Sequence, residues 1–471
     1  MTKSLRLAIA LVVVTASVAR APTFALRAST FASDAPADKS AGEQDPSTPL
    51  GASTARMEQV IQSHASAGTF MGTVLVARDG AVVFDKAYGM ANLELDVPNT
   101  TATKFRLGSV TKQFTAAAIL LLEERGQLKI DDKVKAYLPD APMNWDRITV
   151  FNLLTHTAGI PNFTSLADYG TIKLSARTAA ASVAAVRDKT LDFGPGENMS
   201  YSNSGYLVLG EIIEKVSGQS YEKFVTDNIF TPLGMTDSGY DSNTALIPRR
   251  ASGYIKGPAG YVNAGYIHMS IPHAAGALYS TTGDLLKWQQ GLFAGKVVSN
   301  ASLDRMIRPF KNDYALGLTS TLDKGRRVIA HGGGIDGFNT HLAYYPDTRT
   351  VIVALSNVNG PVPGALAAQL SALMHGDAVT LTSERKEITV PAATLAKYAG
   401  AYELAPGVMI TVTLEGDRLL AQLTGQGKNP MFPQSDTLFF LKVVDAQFEF
   451  AADGASVVLH QNGRATRAPR R

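Results

Sequence analysis

The sequence predicts a multi-domain protein of α/β class, in which a sheet is completed by both ends of one large domain and a small antiparallel β domain follows. Three observations lead to this prediction. Strand patterns stand at both ends of residues 55–376, helical patterns fill the middle, and short strands with turn signals occupy residues 392–471. The length of 471 residues allows about three domains. With 45% hydrophobic and 18% charged residues, the composition is that of a globular protein.

The first 21 residues are predicted to be a signal peptide rather than part of the fold. Lys3 and Arg6 form a basic start, and the apolar run Leu7–Val14 is too short to span a bilayer comfortably. No other segment approaches 18 continuous apolar residues. We therefore expect an exported bacterial protein, periplasmic or secreted, without a stable membrane anchor after signal cleavage.

Composition also sets the domain boundaries. Residues 22–54 are predicted to be a flexible linker, because from Ala32 onward they are almost all small or polar. The large domain, residues 55–376, follows. A polar connector, residues 377–391, separates it from the β domain at residues 392–471.

Within the large domain, Asp79-Gly80 predicts a hairpin turn between two strands. Thr281 and Asp284 have the spacing of a helix cap. The predicted strands are Met71–Ala77, Ala81–Tyr88, Arg327–Ala330, Phe338–Tyr345 and Thr350–Ser356, and the predicted helices are Ser109–Arg125, Ser204–Val216, Tyr221–Ile229, Gly283–Leu292 and Val362–Met374.

Composition excludes several classes of function. The chain has no cysteine, which removes thiol nucleophiles, disulfides and iron–sulfur clusters. A net charge of only +3 argues against a nucleic-acid partner. The histidines lack metal-ligand spacing, and no glycine-rich phosphate loop leads from a strand into a helix. We therefore expect neither a metal nor another cofactor.

The predicted helix that starts at Ser109 carries a possible nucleophile. Ser109 and Lys112 share one helix face, and a helix N-terminus offers free N–H groups that stabilise an oxyanion. A lysine titrates near about 10.4, but burial lowers that pKa and could let Lys112 accept the serine proton. The same Ser-x-x-Lys spacing recurs at Ser220 and Ser383. We interpret Ser220 as a helix cap and place Ser383 in the connector.

Two further short motifs could complete a site. Tyr201–Asn203 follows a Gly-Pro-Gly turn; a tyrosine near a lysine can move protons, and an asparagine offers both a donor and an acceptor. His331–Gly334 follows a predicted strand, and its glycines would let a substrate approach the strand edge. Each motif alone is also compatible with ordinary structure.

Together with their surroundings, these motifs resemble the serine β-lactamase and penicillin-binding-protein superfamily. The similarity is to its class C-like branch, which includes D-aminopeptidases, D-Ala-D-Ala carboxypeptidases and β-lactamase-like esterases. It implies a β-lactamase-like antiparallel sheet flanked by helices plus a mainly helical subdomain. The C-terminal segment resembles a lipocalin-like β-barrel. The segments that carry the resemblance are Phe105–Ala116, Leu153–Pro161, Tyr201–Tyr206, Gly276–Thr281 and Lys397–Tyr402.

The resemblance implies the catalytic roles. Ser109 would be acylated, Lys112 would be its base partner, and Tyr201 would shuttle protons. The backbone amides of Ser109 and Gly334 would form the oxyanion hole. Whether Lys112 or Tyr201 is the acylation base stays open, as it does in related enzymes.

The resemblance also implies the substrate contacts. Asn203 would position the substrate, and His331 and Gly333 would line the strand on which it docks. Many β-lactamases carry lysine at the position of His331, a permanent cation for the carboxylate of the antibiotic, whereas histidine is mostly neutral near pH 7. This departure favours peptidase, amidase or esterase activity. His156 is predicted to be structural.

We therefore predict a serine hydrolase that acts through an acyl-enzyme on D-amino-acid peptides or small esters. One alternative is an active class C-like β-lactamase. Another, from a different class, is a penicillin-recognising binding or scaffold protein without turnover; the intact Ser109, Lys112 and Tyr201 set argues against it. The expected partners are small peptide, ester or β-lactam substrates. The C-terminal domain would shape the cleft or drive homo-oligomer formation, or it would serve as a stabilising appendage.

Overall fold

The computed structural model describes residues 49–257, 259–461 and 464–471. The predicted signal peptide and most of the predicted linker lie outside these residues. Helix α1 (Pro49–Ser66) includes the last six residues of the predicted linker, residues 49–54. The helix is anchored by an apolar face, because Met57 and Ile61 are completely buried.

The described residues form two compact units. The larger contains residues 49–256 and 261–371, and the smaller contains residues 372–461 and 464–471 together with residues 257, 259 and 260. No helix within the described ranges is both long enough and apolar enough to cross a bilayer.

The described strands before residue 360 lie wholly or mostly in the larger unit. They are β1 (Gly72–Arg78), β2 (Ala81–Tyr88), β3 (Met90–Asn92), β4 (Val97–Pro98), β5 (Phe105–Arg106), β6 (Gly239–Tyr240), β7 (Tyr254–Gly257), β8 (Gly260–Asn263), β9 (Leu278–Ser280), β10 (Thr319–Asp323), β11 (Arg326–Ile335), β12 (Phe338–Tyr345), β13 (Thr350–Ser356) and β14 (Val358–Asn359).

A six-stranded antiparallel sheet runs in the order β10-β11-β12-β13-β1-β2. Strand β1 pairs with β13, which confirms that strands from both ends complete one sheet. Strands β12 and β13 have the predicted bounds. Strand β11 is longer than predicted, so His331–Gly334 lies within the strand rather than after it.

Helices fill the middle of the larger unit. Beyond α1 they are α2 (Thr111–Glu124), α3 (Val150–Leu154), α4 (Tyr169–Ile172), α5 (Ala179–Arg187), α6 (Asn203–Ser217), α7 (Tyr221–Val225), α8 (Thr231–Leu233), α9 (His273–Gly276), α10 (Thr282–Phe293), α11 (Asn300–Met306) and α12 (Val362–Met374). The helix predicted over Tyr221–Ile229 is α-helical only to Val225 and continues as a π-helical turn.

Helix α2 is the centre of this unit. Every residue from Thr111 to Leu122 is buried, as expected for a helix surrounded by core on all sides. A 3₁₀ turn, Gly108–Val110, leads into it, so Ser109 lies just before the α-helix rather than in it. The predicted cap of α10 is confirmed, since Thr281 Oγ1 accepts the Asp284 N–H at 3.2 Å.

The smaller unit is rich in strands. Its elements are α13 (Ala392–Tyr398), β15 (Gly400–Ala405), β16 (Val408–Glu415), β17 (Arg418–Leu423), β18 (Asn429–Pro430), β19 (Phe432–Pro433), β20 (Leu438–Phe440), β21 (Ala446–Phe450), β22 (Ser456–Gln461) and β23 (Arg464–Pro469). They form a four-stranded sheet, β15 to β18, and a five-stranded sheet, β19 to β23. The predicted C-terminal region of antiparallel strands is confirmed; its described residues form two sheets, which a bridge between Tyr402 and Arg470 also connects, and the barrel stays a prediction. Turn residues and alternation predict strands, but closure depends on strand number and shear.

Candidate active site

The backbone around Ser109 is fastened to the sheet. Gly108 has φ +53°, and a Cβ there would lie 2.8 Å from the Gly334 nitrogen, so this position requires glycine. The hydroxyl of Thr340 donates to the Leu107 carbonyl at 2.7 Å. These contacts hold the serine close to the β11 segment whose amide is predicted to form half of the oxyanion hole.

Lys112 is completely buried and has three oxygen neighbours. Its Nζ lies 2.8 Å from Asn203 Oδ1, 2.8 Å from the Ala275 carbonyl and 3.1 Å from Ser109 Oγ. Burial lowers the pKa of Lys112 well below its usual value. A neutral amine has two N–H donors and one lone pair. The two acceptor oxygens take the donors, which leaves the lone pair for the Ser109 hydroxyl.

Tyr201 packs against this amine. Lys112 Nζ lies 4.9 Å from the centre of the Tyr201 ring. Burial raises the pKa of Tyr201, and the nearby Ser109 hydroxyl opposes that rise only in part. The tyrosine hydroxyl is buried and makes no hydrogen bond of ordinary geometry to the described residues. At rest it therefore keeps its proton, while the lysine is the group able to accept one.

His331 is also buried and neutral. Its Nδ1 lies 2.6 Å from the Gly332 carbonyl, which can only accept, so Nδ1 carries the hydrogen. Nε2 is then the acceptor for the Tyr314 hydroxyl at 3.1 Å. Burial, followed by the charge of Lys112, lowers the pKa of His331 to about 3. Both ring nitrogens are engaged within the protein.

The three glycines after His331 differ in what they do. A Cβ at Gly333 would lie 1.9 Å from the Leu107 carbonyl and 2.3 Å from Thr340 Oγ1. The glycine at 333 is therefore required by packing, and its place in the strand on which the substrate docks stays a prediction. Gly332 and Gly334 are exposed, and the pairing of β11 with β10 ends at Ala330. This exposed edge is where a substrate can approach.

His156, which is predicted to be structural, holds the backbone on both sides of Tyr201. Its carbonyl accepts the Ser200 N–H at 3.0 Å, and its Nδ1 accepts the Ser202 N–H at 3.2 Å. Its ring lies 4.2 Å from the Tyr201 ring. One residue thus brackets Tyr201 from both neighbours and supports its ring. Burial, followed by the charge of Lys112, lowers the pKa of His156 well below its usual value.

The structure therefore brings together all the residues predicted from the three motifs. It adds Ala275, Tyr314 and the bracket made by His156. The Ala275 contribution is a backbone carbonyl, which leaves no trace in residue type. Tyr314 precedes β10, and no motif spacing connects it with His331.

The two other Ser-x-x-Lys segments have no such surroundings. Ser220 Oγ accepts the Lys223 N–H at 3.2 Å, which confirms its interpretation as the cap of α7. Ser383 lies in a short 3₁₀ turn, Thr382–Glu384.

Comparison with known proteins agrees with this geometry. The family model described as Beta-lactamase matches residues 55–375, which is more than half of the chain. A domain of unknown function, DUF3471, matches residues 384–464, so the lipocalin-like character of the smaller unit stays a prediction. Penicillin-binding protein 4* of Bacillus subtilis (strain 168) is 31% identical over 432 residues, which are 85% of this chain and 95% of that protein.

Two solved structures are similar in fold. The octameric penicillin-binding protein homologue from Pyrococcus abyssi has a TM-score of 0.64 and 26% identity, covering 88% of this chain and 99% of its own. The D-amino acid amidase from Ochrobactrum anthropi SV3, complexed with D-phenylalanine, has a TM-score of 0.59 and 25% identity, covering 66% of this chain and 92% of its own. The chain belongs to the β-lactamase and penicillin-binding-protein superfamily of serine hydrolases.

Proposed function

We propose that the protein hydrolyses amides or peptides of D-amino acids, or small esters, through an acyl-enzyme at Ser109. The observation that carries this proposal is the 3.1 Å contact of Ser109 Oγ with the buried Lys112 amine, whose two other oxygen neighbours are the Asn203 side chain and the Ala275 carbonyl. A serine hydroxyl is a weak nucleophile until a base removes its proton. Lys112 suits that need because burial lowers its pKa and so favours the neutral amine, which can accept a proton.

The reaction follows from this arrangement. Lys112 takes the Ser109 proton as Oγ attacks the substrate carbonyl. The oxyanion would receive hydrogen bonds from the amides of Ser109 and Gly334. Collapse of the intermediate breaks the bond to the leaving group, which receives a proton from Tyr201 or Lys112. Water then attacks the ester on Ser109 and releases the acid.

Two considerations favour amides and esters over β-lactams. Many β-lactamases carry a lysine cation for the carboxylate of the antibiotic at this position, whereas His331 has a pKa lowered to about 3 and both nitrogens engaged. The amidase from Ochrobactrum anthropi provides independent support for D-amino-acid substrates.

Intact-mass spectrometry during turnover tests the proposal. Wild type is offered p-nitrophenyl acetate, D-alanine p-nitroanilide and nitrocefin in parallel. We expect an acyl adduct on Ser109 and release of product from the ester or the anilide. Ser109→Ala should lose both, by several orders of magnitude in kcat. Ser220→Ala is the matched control, because it removes a serine with the same spacing outside the site.

Each remaining outcome has a defined meaning. If the protein hydrolyses nitrocefin but neither the ester nor the anilide, the β-lactamase alternative is favoured. A folded protein that shows neither adduct nor turnover would favour a binding protein. Adduct formation in Ser109→Ala would mean that the nucleophile is another residue.

A further inference from the structure

The exposed edge of β11 leads from the oxyanion region to a carboxylate. Asp336 follows the end of the strand, two residues beyond Gly334. A strand residue spans about 3.3 Å, so the two backbones are at most about 7 Å apart. The Asp336 side chain is 23% exposed, and Gly334 is exposed as well. A molecule docked on this edge can therefore reach the carboxylate.

A second part of the chain contacts the same carboxylate. Lys173 Nζ donates to Asp336 Oδ1 at 2.5 Å. Tyr169, on α4, packs edge-on against Phe163 with ring centres 5.6 Å apart. Burial, together with the negative charge of Asp336, raises the pKa of Tyr169 to about 12. Residues 161–173, called the wall below, thus lead along the chain to the ion pair of Lys173 with Asp336.

The wall begins beside the catalytic residues. Asn162 Oδ1 accepts the Asn203 N–H at 3.2 Å, and Ser204 Oγ accepts the Phe163 N–H at 2.9 Å. Asn203 also contacts Lys112. A series of contacts therefore connects Lys112 through Asn203 and the wall to Asp336. Strand β11 then leads from Asp336 back to Gly334.

The chemistry of the reaction indicates which part of a substrate would lie near Asp336. The leaving group needs a proton, so it must face Lys112 and Tyr201. A carbonyl held between Ser109 and Gly334 in that orientation would direct its acyl side away from Lys112 and Tyr201, along the β11 edge toward Asp336. In an amino-acid amide, the α-nitrogen is one bond from the carbon next to that carbonyl.

We propose that Asp336 binds the α-ammonium group of a D-amino-acid amide or peptide with a free N-terminus, in the place that Lys173 occupies in the free protein. This inference rests on the proposed acyl-enzyme function and adds the class of substrate, which is cationic on the acyl side. The protein would then remove or release an N-terminal residue rather than cut within a blocked chain.

The two members of the ion pair differ in how firmly they are held. Asp336 has a short side chain at the end of a paired strand, so its carboxylate stays near the oxyanion region. Lys173 reaches it through a long flexible side chain, and partly exposed ion pairs contribute little to stability. A substrate ammonium group can therefore replace the lysine at a small cost in free energy. A substrate carboxylate could not take the place of Asp336, because that side chain is held at the end of the strand.

The test compares two substrates with the same leaving group. D-Alanine p-nitroanilide carries a free ammonium, and N-acetyl-D-alanine p-nitroanilide does not. For wild type we expect kcat/KM to be at least about tenfold higher for the free amine, as one charge-assisted hydrogen bond would give. The preference should fade above about pH 8, where an α-amine loses its proton. A preference for the acetylated substrate would overturn the proposal without any variant being made.

Two variants locate the effect. Asp336→Asn should lower kcat/KM about tenfold to a hundredfold for the free amine and leave the acetylated substrate unchanged. Lys173→Met should not lower the value for the free amine, because it removes only the competitor. Equal losses on both substrates, or the same loss in both variants, would show a structural brace and refute recognition.

Failure of this inference can be told apart from failure of the proposed function. p-Nitrophenyl acetate has no amine, so its turnover by wild type and its loss in Ser109→Ala report on the acyl-enzyme alone. Turnover of the ester without a preference for the free amine would contradict only the role of Asp336.

Discussion

Replacing His156 by phenylalanine should slow catalysis by displacing Tyr201. Phenylalanine keeps an aromatic ring beside Tyr201, where the ring centres are now 4.2 Å apart. The backbone carbonyl that accepts the Ser200 N–H also remains. What is lost is Nδ1, the acceptor of the Ser202 N–H.

The expected magnitude follows from that single hydrogen bond. A buried amide without a partner costs about 1–3 kcal/mol. Ser202 is buried, so its amide must either bear this cost or move toward another acceptor. Because Tyr201 is the preceding residue, it moves as well. If the cost falls on the transition state, kcat decreases about fivefold to a hundredfold.

The assay is a double-mutant cycle on hydrolysis of the best substrate from the panel. Wild type, His156→Phe, Tyr201→Phe and the double variant are compared in kcat and KM, with melting temperature as the control for folding. If His156 acts only by placing the tyrosine hydroxyl, its replacement has no further effect once that hydroxyl is gone. The double variant should then match Tyr201→Phe.

Two results would refute the reasoning. Additive losses would mean that His156 influences the reaction through another group, such as the buried lysine. An unchanged kcat in His156→Phe would mean that Tyr201 does not need the bracket. A lower melting temperature with unchanged kcat would assign His156 to stability alone.

Three further predictions concern other positions. Lys112→Met should abolish acylation by several orders of magnitude, while wild type should acylate at pH 7, where an ordinary lysine is charged; an acylating variant would exclude lysine as the base. Ser220→Ala should lower the unfolding free energy by about 1 kcal/mol through loss of the helix cap and leave kcat unchanged, as denaturant titration and turnover would report. Burial raises the pKa of Asp85 from 3.8 to about 6. The contribution of Asp85 to the unfolding free energy is therefore fully present below pH 3.8 and is lost as the pH rises through 6. Asp85→Asn, which keeps an acceptor for the Thr282 hydroxyl, should therefore add up to about 3 kcal/mol at pH 8 and little at pH 3; equal stabilisation at both pH values would contradict the assignment.

The fold of the larger unit could be predicted where a turn or cap signal bounds an apolar pattern. Strands β12 and β13 are separated by Pro346-Asp347 and have the predicted bounds. Helix α10 begins after the predicted cap at Thr281. The extension of β11 could not be predicted, because His331–Gly334 has the composition of a turn. It is a strand because β12 pairs with it as far as Ile335.

The site could be predicted where it consists of side chains in motifs, and not where it consists of backbone. Ser109, Lys112, Tyr201 and Asn203 converge as the motifs predict. The Ala275 carbonyl escaped notice because a carbonyl has no residue signature.

The burial of each side chain determines where the site carries charge. Lys112 lies on a helix buried on all sides, and His331 is buried as well, so burial lowers the pKa of both and favours their neutral forms. The ion pair of Asp336 and Lys173 lies at the rim, where β11 emerges toward solvent. In the proposed reaction, proton transfer would take place among these buried groups, and the charge of Asp336 would select the substrate outside them. A charged substrate group that entered the buried centre would lose its water there at a cost in free energy, so we expect recognition by charge to take place at the rim.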